Sequence, residues 1–101
     1  MEVAIGVDPS TSSLAVAAVD PLGRVVERAE FSNDPRGHRA LLRWARERGP
    51  DRVIGIECSL SFGAPLSRLL LGSGEDVREV PTTLTHQQRG RRASQGKSDM
   101  V

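Results

Sequence analysis

Aromatic side chains are scarce: two Phe, one Trp and no Tyr in 101 residues. A platform that stacks nucleobases needs more rings than Phe31, Trp44 and Phe62 supply, so any nucleic acid bound here should be held through its phosphates. There is one cysteine, Cys58, which rules out an internal disulfide. No apolar run approaches the roughly 20 residues of a membrane helix, and none follows a charged signal-peptide start. The sequence is therefore expected to act in the cytoplasm, with no membrane partner. Its length supports one sheet and two or three helices around a single core.

Charge is unevenly placed. The formal net charge is +1, yet residues 1–84 hold ten Arg against twelve acids, while 85–101 hold Arg89, Arg91, Arg92 and Lys97 against Asp99. The basic character is thus confined to the end of the sequence. That same stretch has no apolar periodicity and cannot form a core by itself. The expected organisation is a folded domain over 1–84, followed by a basic arm or loop over 85–101.

Hydrophobic patterning gives the element order. Val3-Ala4-Ile5-Gly6-Val7 is almost wholly apolar, which suits a strand covered on both faces, with Asp8 at its end before turn-forming Pro9-Ser10-Thr11. Leu14 to Val19 is a second strand. Asp20-Pro21-Leu22-Gly23 turns the chain into a third, Arg24 to Phe31, completing an antiparallel meander. Ser32-Asn33-Asp34-Pro35 supplies helix-start residues, and Gly49-Pro50 stops the helix, with Leu41, Leu42, Ala45 and Trp44 on the face laid against the sheet. Arg52 to Glu57 reads as a buried strand and Phe62 to Leu71 as a helix with Leu66, Leu69 and Leu70 at core spacing. Asp76 to Val80 is a short fifth strand. Three antiparallel strands followed by α-β-α-β is the order of an α/β, RNase H-like mixed sheet, extended in parallel at its second half.

Alternation puts Ala4, Gly6 and Asp8 on one face of the first strand, and Val53, Gly55 and Glu57 on one face of the fourth. If these strands are neighbours, the two carboxylates converge at strand C-termini, where open parallel sheets leave a ligand crevice. A glycine two residues behind each acid would leave room for substrate backbone or metal-bound water. Two close carboxylates repel and call for a cation, and hard oxygen ligands suit Mg²⁺ or Mn²⁺. A pair of such ions can activate water or a 3′-hydroxyl and stabilise the leaving oxygen. The competing reading is structural: Asp8 caps the turn into Pro9-Ser10 and Glu57 begins a loop.

Gly6-Val7-Asp8-Pro9-Ser10 resembles the opening of RuvC-type Holliday junction resolvases. With Thr11-Ser12-Ser13, Asp20 and Gly23, it is also similar to the phosphate hairpin of sugar kinases and other actin-like ATPases. Later blocks separate the two. Ile54-Gly55-Ile56-Glu57 through Leu66, Val80-Pro81-Thr82-Thr83-Leu84-Thr85 and Gly96-Lys97-Ser98-Asp99 resemble the N-terminal, RuvC-like domain of the DEDD transposases related to the Piv invertase. The resemblance spans nearly the whole chain. It departs after Glu57, where the family often has Thr-Gly and this chain has Cys58-Ser59-Leu60-Ser61.

The resemblance implies a metal site of Asp8, Glu57 and Asp99, with a fourth acid expected one position past Val101. It further implies two Mg²⁺ or Mn²⁺ ions, DNA as substrate, element-encoded guide RNA, homo-oligomeric assembly, and a C-terminal transposase domain outside this chain. The expected activity is metal-dependent DNA cleavage and exchange in transposition of an insertion sequence, with little activity from these 101 residues alone. Arg89, Arg91, Arg92 and Lys97 are candidate phosphate contacts, or a solvated tail. An actin-like ATPase fragment would instead use Ser10 to Ser13 on a nucleotide phosphate, but needs a second glycine-rich loop that this chain lacks. A non-catalytic nucleic-acid-binding module would rely on the basic arm. Arg39, Arg43 and Arg46 share a face of the first helix, read here as water-facing. His38 is placed in a first helical turn, and Cys58 as a buried thiol opposite Glu57.

Overall fold

A computed structural model of the chain describes residues 2–80. The basic positions Arg89, Arg91, Arg92 and Lys97, together with Asp99, lie outside the described residues. The elements are β1 (Val3–Pro9), β2 (Ser13–Val19), β3 (Val25–Ser32), α1 (Pro35–Arg46), β4 (Arg52–Glu57), α2 (Ala64–Gly72) and β5 (Val77–Val80). They build one sheet in the order β3-β2-β1-β4-β5, antiparallel across β1, β2 and β3 and parallel across β1, β4 and β5. This is the expected mixed α/β sheet.

The sheet has one inside. Val3, Ile5 and Val7 of β1, Leu14, Val16 and Ala18 of β2, and Ile54 and Ile56 of β4 meet Leu41 and Ala45 of α1 and Leu66 and Leu70 of α2 in a single core. Each fully buried Leu or Ile stabilises the fold by roughly 1.5–3 kcal/mol relative to an exposed one. Contrary to the expectation of a strand covered on both faces, β1 buries alternate residues, and Ala4, Gly6 and Asp8 are exposed. Both helices pack on the Ile5 side. Because Ala and Gly are as much at home on a shallow outer face as in a core, the apolar run did not distinguish one covered face from two.

Local chemistry sets the junctions. In the β2–β3 turn, Asp20 Oδ1 accepts from the Leu22 and Arg24 amides, both at 2.9 Å, and Gly23 takes φ +84°, a region open to glycine. Asp34 caps α1 by accepting from Gly37 N at 2.8 Å, and Pro35 follows in the first turn. Gly37 has a separate necessity: a Cβ there would run into the Ser32 carbonyl, so the close approach of β3 to α1 admits no side chain.

A charged clamp closes the pole where β4 begins. Glu75 accepts from Arg46 Nε at 3.0 Å and from Arg52 Nε and Nη2 at 2.8 and 2.7 Å. Arg46 also donates to Ser73 O and Arg52 to Gly49 O. The end of α1, the start of β4 and the link from α2 to β5 are thereby tied to one carboxylate, whose side chain is 4% exposed. The hydrogen bond from Arg52, aided by Arg46, holds the Glu75 carboxyl below its usual 4.5 against the opposing effect of burial.

Removing Glu75 would leave Arg52 facing a largely desolvated gap. Glu75→Ala is expected to cost about 3 kcal/mol in urea unfolding at pH 7, near the lower end for breaking a buried pair. Since the folded-state pKa is lowered, this contribution is full above about pH 4.5 and fades as pH falls through the folded value. Glu75→Gln should therefore flatten the acid limb of stability below pH 4.5; an unchanged limb would refute the assignment.

Candidate metal and nucleic-acid site

The parallel ladder between β1 and β4 pairs Val3 with Arg52, Gly6 with Gly55 and Val7 with Ile56. One further step along this register brings Asp8 alongside Glu57, at the C-terminal ends of adjacent strands and on the same face. Both acids border an open concavity of about 360 Å³, with Gly6, Gly55, Ala15, Ala17, Arg28 and Val80 among its other lining residues. Asp8 is exposed, whereas Glu57 is only 5% exposed, so the two carboxylates differ in depth.

The two glycines behind the acids do different things. A Cβ on Gly6 would meet nothing within 4 Å, so the space above it is open. A Cβ on Gly55 would lie 2.9 Å from Val80 Cγ2, so β5 already occupies that side. Room for substrate beside the acids is therefore over β1 and β2 more than over β4.

Beyond Glu57 the chain turns at once. The strand ends at Glu57, and Cys58 is half-buried rather than the buried thiol expected had the strand run on; it takes φ +55°, and its carbonyl accepts from Ser61 N and Gly63 N at 3.1 and 2.9 Å. Left-handed backbone at a non-glycine residue costs roughly 1–2 kcal/mol. Gly63 packs so closely that a Cβ would sit 2.7 Å from Ile56 Cγ2 and 3.2 Å from Glu57 O. This loop fixes the backbone of Glu57 from behind.

A polar hub not anticipated as such joins both acid-bearing strand ends. Asn33 Nδ2 donates to Ser10 O at 2.8 Å and Phe62 O at 3.0 Å, while its backbone N–H donates to Ser12 O at 3.0 Å. With Nδ2 directed at two carbonyls, Oδ1 is fixed as an acceptor, and the 2.7 Å contact makes His38 Nε2 the donor. His38 is 5% exposed, and burial lowers its pKa, so the neutral ring is favoured, with nearby Asp34 opposing in part. Asn33 thus links the turn two residues after Asp8 to the loop that follows Glu57. Sequence position marked Asn33 only as a helix-start residue, and its long-range partners carry no local signal.

The donor chemistry fits a hard divalent cation in part. Asp8 and Glu57 supply two carboxylates to one concavity, but among the described residues no group of three His, Cys, Asp or Glu side chains could hold a metal. Asp99 lies outside the described residues. Arg28 was not singled out by sequence pattern; it stands across β2 from Gly6, through Ala17, and brings a cation to the rim of the concavity.

The family model for DEDD transposases of the IS110 type, described as a transposase, matches residues 5–101. The chain belongs to this family. Among solved structures, it is similar to RuvC of T. thermophilus in complex with a Holliday junction substrate, with TM-score 0.59 and 14% identity, over 86% of this chain and 69% of that one. Similarity at that identity speaks to the fold, which is RuvC-like and hence RNase H-like. Among curated proteins, none matches the sequence. The actin-like ATPase alternative is not favoured by this family membership.

Within this transposase domain, Asn33 and His38 tie the turn after β1 to the loop after β4. Asn33→Ala would strip partners from the Ser10 and Phe62 carbonyls and from His38, and is expected to cost about 2 kcal/mol, within the range for orphaned polar groups. Because they share a hydrogen bond, Asn33→Ala and His38→Ala should be non-additive by at least about 0.5 kcal/mol in a double-mutant cycle. Simple additivity in urea unfolding would remove the coupling.

Proposed function

We propose that this chain is the metal-binding catalytic domain of a transposase that cleaves and exchanges DNA strands, with Asp8 and Glu57 as two of its ligands. The observation that carries the reading is the β1–β4 register, which sets two carboxylates from distant sequence positions side by side. The family membership supplies the reaction class. Mg²⁺ or Mn²⁺ held there, as two ions in the complete site, would make a water or 3′-hydroxyl nucleophilic and offset charge on the leaving oxygen. The chain's own part is to hold two acids at fixed separation on rigid strands, with the Asn33 hub and the Gly63 loop restraining the backbone on either side.

Asp99 completes a third position in this reading, and Arg89, Arg91, Arg92 and Lys97 contact phosphates. We divide the chain into a domain over 1–84 and a basic arm over 85–101. Guide RNA, homo-oligomeric assembly and a cytoplasmic location belong to the same proposal; among the described residues no helix is long and apolar enough to cross a membrane. RuvC, the structural neighbour, is bound to a Holliday junction, which supports DNA as the partner class. The 101 residues alone are expected to cleave DNA weakly at best, since the site that the family resemblance implies takes four acids, of which Asp8, Glu57 and Asp99 are three.

Mn²⁺ binding, followed by electron paramagnetic resonance at neutral pH, tests the site directly. The unaltered chain should bind the ion, and Asp8→Asn with Glu57→Gln should weaken binding at least tenfold while thermal melting shows an intact fold. Unchanged affinity in the double variant would sink the assignment.

A further inference from the structure

The arginines of the described domain fall into two groups. Arg24, Arg46, Arg48, Arg52 and Arg78 each form an ion pair with a carboxylate. Among the described residues Arg28, Arg36, Arg39, Arg43 and Arg68 form none. All five are exposed; Arg28 borders the concavity of the acids, and the other four lie on the helical layer. At about 100° per residue, Arg36, Arg39 and Arg43 occupy an arc of roughly 60° on α1, nearly opposite its buried residues Gly37, His38, Leu41 and Ala45. The helix itself carries no acid. Arg46 shares the stripe but is engaged by Glu75.

Arg68 of α2 faces this stripe across a cleft of about 420 Å³ between the two helices, lined by Arg39, His38, Asn33, Pro65 and Leu69 among others. Asp34 is the carboxylate on its wall, and it is already committed: Oδ1 accepts from Gly37 N and Ser32 Oγ, both at 2.8 Å. The cleft opens at the pole of the candidate acids. Asn33, on its wall, donates to Ser10 O, two residues after Asp8, and to Phe62 O in the loop after Glu57.

The geometry points to a phosphate-binding track for DNA along α1 and the α1–α2 cleft, with Arg39 and Arg68 gripping the backbone and Arg36 and Arg43 flanking them. Guanidinium forks suit phosphate oxygens, and unpaired arginines need give up no existing carboxylate to make the contact. A net-negative domain gains from placing four of its five arginines outside ion pairs on one surface, because acids elsewhere then repel DNA from the wrong faces. Only the choice of DNA as the nucleic acid rests on the proposed function. The track uses none of the basic positions 89–97 and neither of the acids.

Fluorescence anisotropy with a short labelled DNA duplex, in EDTA across a salt series, isolates the track from any metal chemistry. Arg39→Ala with Arg68→Ala should weaken binding about tenfold and reduce the slope of log affinity against log salt by about 2, near 0.9 per phosphate contact. Arg39→Lys with Arg68→Lys should recover most of the slope. Arg24→Ala with Arg78→Ala removes the same charge from paired positions and should change little. Equal losses in this control, or an unchanged slope in the Arg39/Arg68 variant, would overturn the track. So would an RNA duplex that outcompetes DNA and alone shows the Arg39/Arg68 dependence. Asp8→Asn with Glu57→Gln should leave the slope intact, so loss of the metal reading and loss of the track are distinguishable.

Discussion

The pairing of β1 with β4 is the constraint on which the candidate site depends. These strands are separated in sequence by a hairpin, a third strand and a helix, yet their parallel ladder matches Gly6 to Gly55 without a bulge. Side-chain alternation then leaves little freedom: a slip of one residue would turn Glu57 into the helical core and bring Ile54 or Ile56 to the open face. The fully buried Ile5, Ile54 and Ile56 specify the register, and the acids inherit their alignment from it. Core packing and functional geometry are here the same constraint seen from two faces of one sheet.

The two poles of the sheet solve opposite problems. At the pole where β4 begins, Glu75 accepts from two arginines and its charge is compensated by direct contact. At the other, Asp8 and Glu57 bring like charge together on neighbouring strands, an arrangement that a cation would stabilise. The Asn33 hub and the closely packed Gly63 restrain the backbone on either side of the acid pair, while the clamp ties the opposite pole. A site built this way can hold its shape while its carboxylates exchange partners.

Much of this was legible from sequence for identifiable reasons. Strand β4 ran from Arg52 to Glu57 as read, because the short apolar run Val53-Ile54-Gly55-Ile56 is bounded by polar residues; α1 was found from Asp34-Pro35 and its apolar spacing. Asp8 and Glu57 were singled out by strand-end position together with the family resemblance, and both border one concavity. What escaped was long-range. Nothing near Asn33 announces carbonyls 23 and 29 residues away, and nothing near Arg28 announces that its face of β3 borders the acids. The turn at Cys58 was also missed, since glycine or asparagine would ordinarily mark positive φ.

Placement of charge carries the last step. Taken by count, residues 1–84 are slightly acidic and would be expected to avoid nucleic acid. Taken by contact, half of the domain's arginines are committed to carboxylates in the described structure, and the free ones gather mainly on α1 and α2. Net charge therefore understates how basic the helical surface is. Ion pairing removes some cations from consideration, and most of what remains forms a surface on the helical side of the fold, bordered by Asn33, which bonds to the chain near both acids. A domain can in this way be acidic in one concavity and basic over another surface, with a total near neutrality.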